Sequence, residues 1–237
     1  MTEVEMEYQK NLKYFKSTDT HYYIGLPMFI IGAALFVLGY VFWMYFLPFQ
    51  DMIGLVLFVL GAIIAFVPQA KRSSEKDLEE AISLMTKNYV EETTESLGLS
   101  SSLLRECPPM LVGTYTFEDG TFVRRGKTDR KCRSNHYTAA ALLFTKNGIC
   151  ISEKKFSLTE EKTEETLHEF SYADIDEITT QTGEHRFENG ETAKTAALLI
   201  LASGKTVFSL PVTSNGVLDR ALDAVNLYMK RIKTGRK

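Results

Sequence analysis

Between Ile24 and Leu47 the chain runs for 24 residues without a charged side chain. As a helix this stretch measures roughly 36 Å at about 1.5 Å per residue, enough to cross a hydrocarbon layer about 30 Å thick with some tilt. A second apolar block, Met52 to Val67, has 16 residues and spans roughly 24 Å. It reaches full length if its helix starts near Phe49, with Gln50 and Asp51 at head-group level. A signal peptide followed by a buried core helix fits poorly. Glu3, Glu5, Glu7 and Asp19 precede the first block, which is also longer than the apolar region of a signal peptide. Residues 23–68 therefore read as a two-helix transmembrane hairpin.

Positive charge orients it. The connection Pro48-Phe49-Gln50-Asp51 contains no Lys or Arg, whereas Lys10, Lys13 and Lys16 precede the first span and Lys71, Arg72 and Lys76 follow the second. Basic flanks mark the cytoplasmic side, so both termini, including the 1–22 segment, are expected in the cytoplasm of a multi-pass protein of the cell inner membrane. Tyr40, Trp43 and Tyr45 then fall at the outer interface and Tyr22 and Tyr23 at the inner one.

Gly25, Gly32 and Gly39 recur every seven residues, and Gly54 and Gly61 do the same in the second span. Seven residues return to nearly the same helix face. The positions also mirror one another across the loop: 39 with 54, 32 with 61, and 25 with Pro68. Small residues at equal depth let two backbones approach closely. Packing within one hairpin, packing against a second protomer in a homo-oligomer, and coincidence are the three readings. Neither apolar block holds an Asp, Glu, Lys, Arg or His, and proton relays and ion pathways need such groups. The spans read as an anchor or as one unit of an assembly.

Residues 73–98 have the pattern of an amphipathic connecting helix. Leu78, Ile82, Met85 and Tyr89 form one stripe, Ser73 and Ser74 offer N-caps, and Gly98 offers a stop.

From residue 108 to 235 the pattern changes to short alternating or β-branched runs separated by turn signals. Eight strands are expected: Met110–Phe117, Thr121–Lys127, Tyr137–Thr145, Ile149–Phe156, Thr166–Tyr172, Ile175–Gln181, Lys194–Leu201 and Lys205–Leu210. Lys146-Asn147-Gly148 is a strong hairpin signal. Val217 to Lys233 is helical, with Leu218, Leu222, Val225, Met229 and Ile232 on one apolar face. Strands closed by one amphipathic helix give an α+β domain, a small antiparallel barrel or sandwich.

The hairpin Leu142-Leu143-Phe144-Thr145-Lys146-Asn147-Gly148-Ile149, the segment Phe170-Ser171-Tyr172-Ala173-Asp174-Ile175-Asp176-Glu177-Ile178 and the strand Gly204-Lys205-Thr206-Val207-Phe208 before a closing helix resemble the bacterial PH-like and GRAM-type domains. That resemblance implies a bent seven-stranded antiparallel β barrel with a C-terminal helix, and a binding rather than a catalytic role.

Arg124, Arg125, Lys127, Arg130, Lys131 and Arg133 form the densest charge cluster, broken only by Asp129. In PH domains that bind phosphoinositides, basic residues on an early hairpin contact phosphates, which is the role the resemblance implies for Arg125 and Lys127. The alternative is a solvated loop neutralised by the acidic run Glu160, Glu161, Glu164 and Glu165. The basic tail (Lys230, Arg231, Lys233, Arg236, Lys237) offers a second contact with the same leaflet.

Other chemistries find little support. Net charge is −3, which gives no global basic field for nucleic acid. The three cysteines, Cys107, Cys132 and Cys150, form no C-x-x-C pair and fit a reducing compartment. Cys132 and His136 are a lone pair at metal-ligand spacing, without partners, and no phosphate loop, dinucleotide fingerprint or nucleophile elbow is present. Neither an enzyme, a metal nor a cofactor is expected. Two functions remain. The first is an anchor whose PH-like module contacts anionic lipid head groups or a protein partner. The second is a ligand-gated, oligomerising membrane effector, similar in layout to bacterial antiviral effectors that join two spans to a β-barrel sensor.

Overall fold

A computed structural model describes residues 3–16, 20–41, 50–70, 72–118, 120–187, 190–213 and 216–235; the side chains of 3–4, 20, 39–41, 50–51 and 69–70 fall outside that description. Two compact units divide the chain, Met1–Lys76 and Asp77–Lys237.

The first unit is helical: α1 (Glu3–Lys16), α2 (Thr20–Val41) and α3 (Gln50–Ala70). Within 1–22 the sequence pattern gave no sign of α1, which is mostly polar. Lys13 and Lys16 close its last turn, where cations complement the helix dipole. The chain following α3 is tied to it: Ser73 N–H donates to the Lys10 carbonyl at 3.4 Å and Ser73 Oγ donates to Asn11 Oδ1 at 2.6 Å. Ser73 is thus spent on α1 instead of capping the next helix.

Among the described residues one helix is long and apolar enough to cross a membrane, His21–Leu38 in α2, at a mean hydropathy of 1.8 over 18 residues. The apolar run of α3, Met52–Pro68, is shorter than that mark, because Gln50 and Asp51 at its start and Gln69 at its end interrupt it. Trp43, Tyr45, Pro48, Phe49 and Lys71 lie outside the described residues, as does the side chain of Tyr40.

α2 and α3 pack antiparallel on their glycines. A Cβ built at Gly32 would lie 2.3 Å from Phe58 N, one at Gly61 2.3 Å from Phe29 N, and those at Gly25 and Gly54 2.5 Å from Ala65 N and Phe36 N. No side chain fits at such distances. The register differs from the mirrored one, since each glycine meets a residue three to four positions before its mirror partner. Gly32 faces Leu57 and Phe58, not Gly61, and Gly54 faces Leu35 and Phe36, not Gly39. Glycine against glycine would leave both grooves empty. In the offset register a larger residue fills each groove, and Phe29 stacks on Phe58 with centroids 4.4 Å apart. Gly39 is in the last turn of α2, with surroundings outside the described residues.

The second unit opens with α4 (Glu75–Thr86) and α5 (Tyr89–Ser96), two helices in place of the single 73–98 helix. Asn88 separates them in a left-handed conformation, φ 62°, and Gly98, at φ 63°, follows the α5 C-cap as a stop. Leu78, Ile82 and Tyr89 are buried, while Met85 is half-buried.

Among the described residues nine strands follow, in antiparallel sheets of order β1-β4-β5-β6, β2-β3 and β7-β8-β9. Their ranges are β1 Met110–Tyr115, β2 Val123–Arg125, β3 Cys132–Ser134, β4 His136–Phe144, β5 Gly148–Ser157, β6 Thr163–Ser171, β7 Glu177–Arg186, β8 Thr192–Ala202 and β9 Lys205–Val212. The strand missing from the expected eight is β3, a three-residue partner for β2. Among the described residues the sheets remain separate by backbone pairing and do not close into one barrel. Ser203 (φ 51°) and Gly204 (φ 72°) make the β8–β9 turn, whose two left-handed residues match the twist of the strands.

The core lies between the four- and three-stranded sheets and α6 (Gly216–Lys233), with Leu142, Phe144, Ile151, Ile178, Leu198 and Ile200 meeting Leu218, Leu222, Val225 and Met229. Ile232, expected on that face, is 47% exposed, because it lies in the last turn beyond the sheet contact. β4 is buried on both faces from Thr138 to Phe144. Tyr89 of α5 reaches its neighbour β5, where Tyr89 Oη and Ser152 Oγ are 2.8 Å apart.

Candidate functional site

The six clustered cations fall on the β2–β3 hairpin and its turn. Asn135 closes the base of that hairpin: Asn135 N–H donates to the Phe122 carbonyl at 3.1 Å, and Phe122 N–H donates to Asn135 Oδ1 at 2.8 Å. At the other end Gly126 N–H donates to the Lys131 carbonyl at 2.8 Å. Asp129 Oδ1 accepts the Lys131 N–H at 3.0 Å, and Arg130 takes a left-handed φ of 58°. The basic run is therefore a shaped loop with ordered ends.

The fold splits the cluster into different roles. Arg133 has a side chain only 3% exposed. Its Nη1 and Nη2 donate to the two oxygens of Asp129 at 3.0 and 2.7 Å, and its Nε donates to Glu79 Oε1 at 3.0 Å. Tyr115 Oη donates to the same Glu79 oxygen at 3.2 Å. A buried guanidinium held by two carboxylates is turned inward on the fold, so Arg133, grouped by sequence with the ligand-binding cations, braces the hairpin in this structure. Its hydrogen bonds hold the Asp129 carboxyl down at about 2. Burial, reinforced by Glu79, pushes the Tyr115 hydroxyl well above its ordinary range.

Arg125 is half engaged. Nη2 donates to the Thr192 carbonyl at 2.9 Å, and Nε lies 3.6 Å from Glu191 Oε2. That Nε is sealed from solvent with no hydrogen-bond acceptor among the described residues. Arg124 is half-buried, and Lys127, Arg130 and Lys131 are exposed.

Behind the hairpin is a cleft of about 550 Å³, formed with the end of β1 and the β7–β8 strands. Arg125, Arg130, Lys131 and Lys194 supply its cations, and Glu79 and Glu184 its carboxylates. Glu79 is already bonded to Arg133 and Tyr115, and Glu184 stands opposite Lys194 in the β7–β8 register. The lining is left two charges positive, with Tyr115, Phe117 and Tyr137 as aromatic wall. A partly enclosed cationic surface of this size concentrates anions.

The acidic run does not neutralise the hairpin through the pairs it makes. Glu165 meets Lys154 at 3.3 Å and Glu164 meets Lys162 at 3.3 Å, both within the β5–β6 edge of the large sheet. Among the described residues no cluster of three His, Cys, Asp or Glu side chains could hold a metal ion. All three thiols are free. Burial raises each of them, Cys150 to about 11, so none is poised as a nucleophile.

Glu79, Tyr115, Thr192 and Lys194 join the hairpin only through folding. They sit on α4, β1 and β8, and no local spacing links them to residues 124–133. Comparison with family models, with curated proteins and with solved structures finds no match for this chain.

Proposed function

We propose that the chain is a membrane-anchored binding protein, in which α2 and α3 form a two-span anchor of the cell inner membrane and the Asp77–Lys237 unit is a cytoplasmic PH-like module for anionic head groups. The observation that carries this reading is the cleft of about 550 Å³ whose cations come from both the β2–β3 turn and β8.

Three further features support it. The outer faces of α2 and α3 expose Ile30, Ile31, Phe36, Ile53, Val56 and Ile63, and only 11% of the His21–Leu38 stretch is buried; a soluble core helix would be mostly buried. α3, though shorter, is long enough once its polar ends lie among head groups. Counted without the β2–β3 hairpin, the strands form a four-stranded and a three-stranded antiparallel sheet followed by a helix. That is the seven-strand count the PH-like resemblance implies, with the hairpin inserted between the first and second strands. Finally, each exposed cation near an anionic surface contributes about 1 kcal/mol, and Lys127, Arg130 and Lys131 are all exposed.

The test uses the full chain in nanodiscs of zwitterionic lipid, titrated calorimetrically with a soluble short-chain phosphatidylinositol phosphate. Binding that weakens with added salt, and is lost in Lys127→Glu/Arg130→Glu/Lys131→Glu, is the expected result. Affinity unchanged in that triple variant would remove the proposal.

A further inference from the structure

Glu79 has two allegiances. Its carboxylate holds the buried Arg133 of the hairpin and the Tyr115 hydroxyl of β1, both through Oε1, at 3.0 and 3.2 Å. The same side chain is 48% exposed and forms part of the lining of the cationic cleft. It also belongs to α4 (Glu75–Thr86), the first helix after α3 (Gln50–Ala70) in the chain. One carboxylate thus belongs at once to the binding cleft, to the hairpin and to the helix that follows the anchor.

We infer that Glu79 reports occupancy of the cleft to α4: an anion in the cleft and the Glu79 contacts with Arg133 and Tyr115 oppose each other. The inference rests on the anion-binding reading above and adds regulation of that site. The physical reason is like-charge repulsion. A phosphate held by Arg125, Arg130, Lys131 and Lys194 shares the cleft with the Glu79 carboxylate, and partial enclosure weakens screening between them. Arg133 does not depend on Glu79 alone, because Asp129 keeps a bidentate hold on it at 3.0 and 2.7 Å. The guanidinium therefore stays paired when Glu79 withdraws, and what loosens is the seating of α4. Linkage makes the effect reciprocal: whatever displaces α4 must tighten anion binding by the same factor.

The Glu79→Gln variant separates coupling from simple support. Glutamine keeps an oxygen that accepts from Arg133 and Tyr115 but carries no charge. If Glu79 braced the site without opposing the anion, the variant would bind anions equally or less well; whether the opposition reaches α4 is read by hydrogen exchange. With the coupling, it binds the short-chain phosphatidylinositol phosphate several-fold to about tenfold more tightly, in the ordinary range of such couplings. Hydrogen exchange on the wild-type full chain in zwitterionic nanodiscs supplies a second readout that needs no variant. Saturating lipid should speed amide exchange across residues 75–86, and inorganic phosphate at high concentration should act in the same direction if the phosphate alone suffices. A response to the lipid but not to phosphate assigns the coupling to the head group as a whole. Unchanged affinity in Glu79→Gln, or wild-type binding with no change in α4 exchange, overturns the coupling and leaves the binding function standing. Absence of any anion binding by the wild type overturns both.

Discussion

Asn226 of α6 donates its Nδ2 to the Ile178 carbonyl at 2.7 Å and accepts the Ile178 N–H on its Oδ1 at 3.0 Å. One side-chain amide thereby satisfies both outward-facing backbone groups at the start of β7. Among the described residues no strand lies beside that edge, and unpaired edge groups otherwise offer a template to another chain. Asn226→Leu keeps the size and removes both bonds, leaving two half-buried backbone groups unsatisfied. The expected cost is about 2 kcal/mol, read by chemical denaturation, with faster exchange of the Ile178 amide.

Arg133 and Arg130 are close in sequence and opposite in consequence. Arg133→Met removes the centre of the Asp129, Glu79 and Tyr115 network and should destabilise the fold by about 2 kcal/mol, the scale of hydrogen bonds to charged groups. Partial exposure of the two carboxylates, 31% and 48%, lets water take over part of the loss. Arg130→Ala on the exposed turn should shift stability by no more than about 0.5 kcal/mol. Parallel denaturation curves of the two variants decide the point.

Asp129 sets an acid limit. Its carboxyl lies at about 2 when folded, against an ordinary 3.8. A depressed carboxylate stabilises the fold fully above the ordinary value, and that contribution disappears as pH falls toward the folded one. Asp129→Asn should therefore be less stable than the wild type by a constant margin above about pH 4, and the margin should close between about pH 4 and pH 2. A margin independent of pH across that range would contradict the Asp129–Arg133 assignment.

For the helical pair, Phe29→Cys with Phe58→Cys should crosslink readily when the native cysteines are replaced by serine, because the two rings stack at 4.4 Å. Adding Gly25→Leu and Gly54→Leu forces side chains into positions 2.5 Å from the opposite backbone, and crosslinking should fall several-fold. A yield that survives both leucines would show that the glycine faces do not set the approach of the helices.

The glycine faces illustrate how far the sequence could be read. Their period names which side of each helix meets the other, since periodicity is a local property. It does not name the register, which depends on how Phe29 and Phe58 fill the grooves between glycines. The same boundary runs through the second unit. Apolar or β-branched runs bounded by turn residues announce β4, β5, β8 and β9, and helical periodicity announces α6. β3 is three residues long, too short to show a period, and Asn88 breaks the connecting helix through a left-handed φ that an Asn tolerates without a glycine to mark it. The basic run was visible as a cluster. Its division into a buried brace at Arg133 and a cleft shared with Lys194 was not, because Glu79 and Lys194 stand 54 and 61 positions from Arg133 along the chain.

The insertion of β2–β3 also bears on how this domain can be rebuilt. The β1–β4 ladder runs unbroken to Tyr115 opposite Tyr137, so the chain leaves and re-enters the sheet at neighbouring points. Loop-closure entropy changes only slowly with loop length. The excursion can therefore be shortened to a tight turn, or exchanged for another hairpin, at little thermodynamic penalty to the sheet beneath, provided Glu79 is neutralised once Arg133 is gone. Most of the basic surface is in that sense carried on a detachable cassette, while Lys194 of β8 and the aromatic wall of the cleft stay with the sheets that display it.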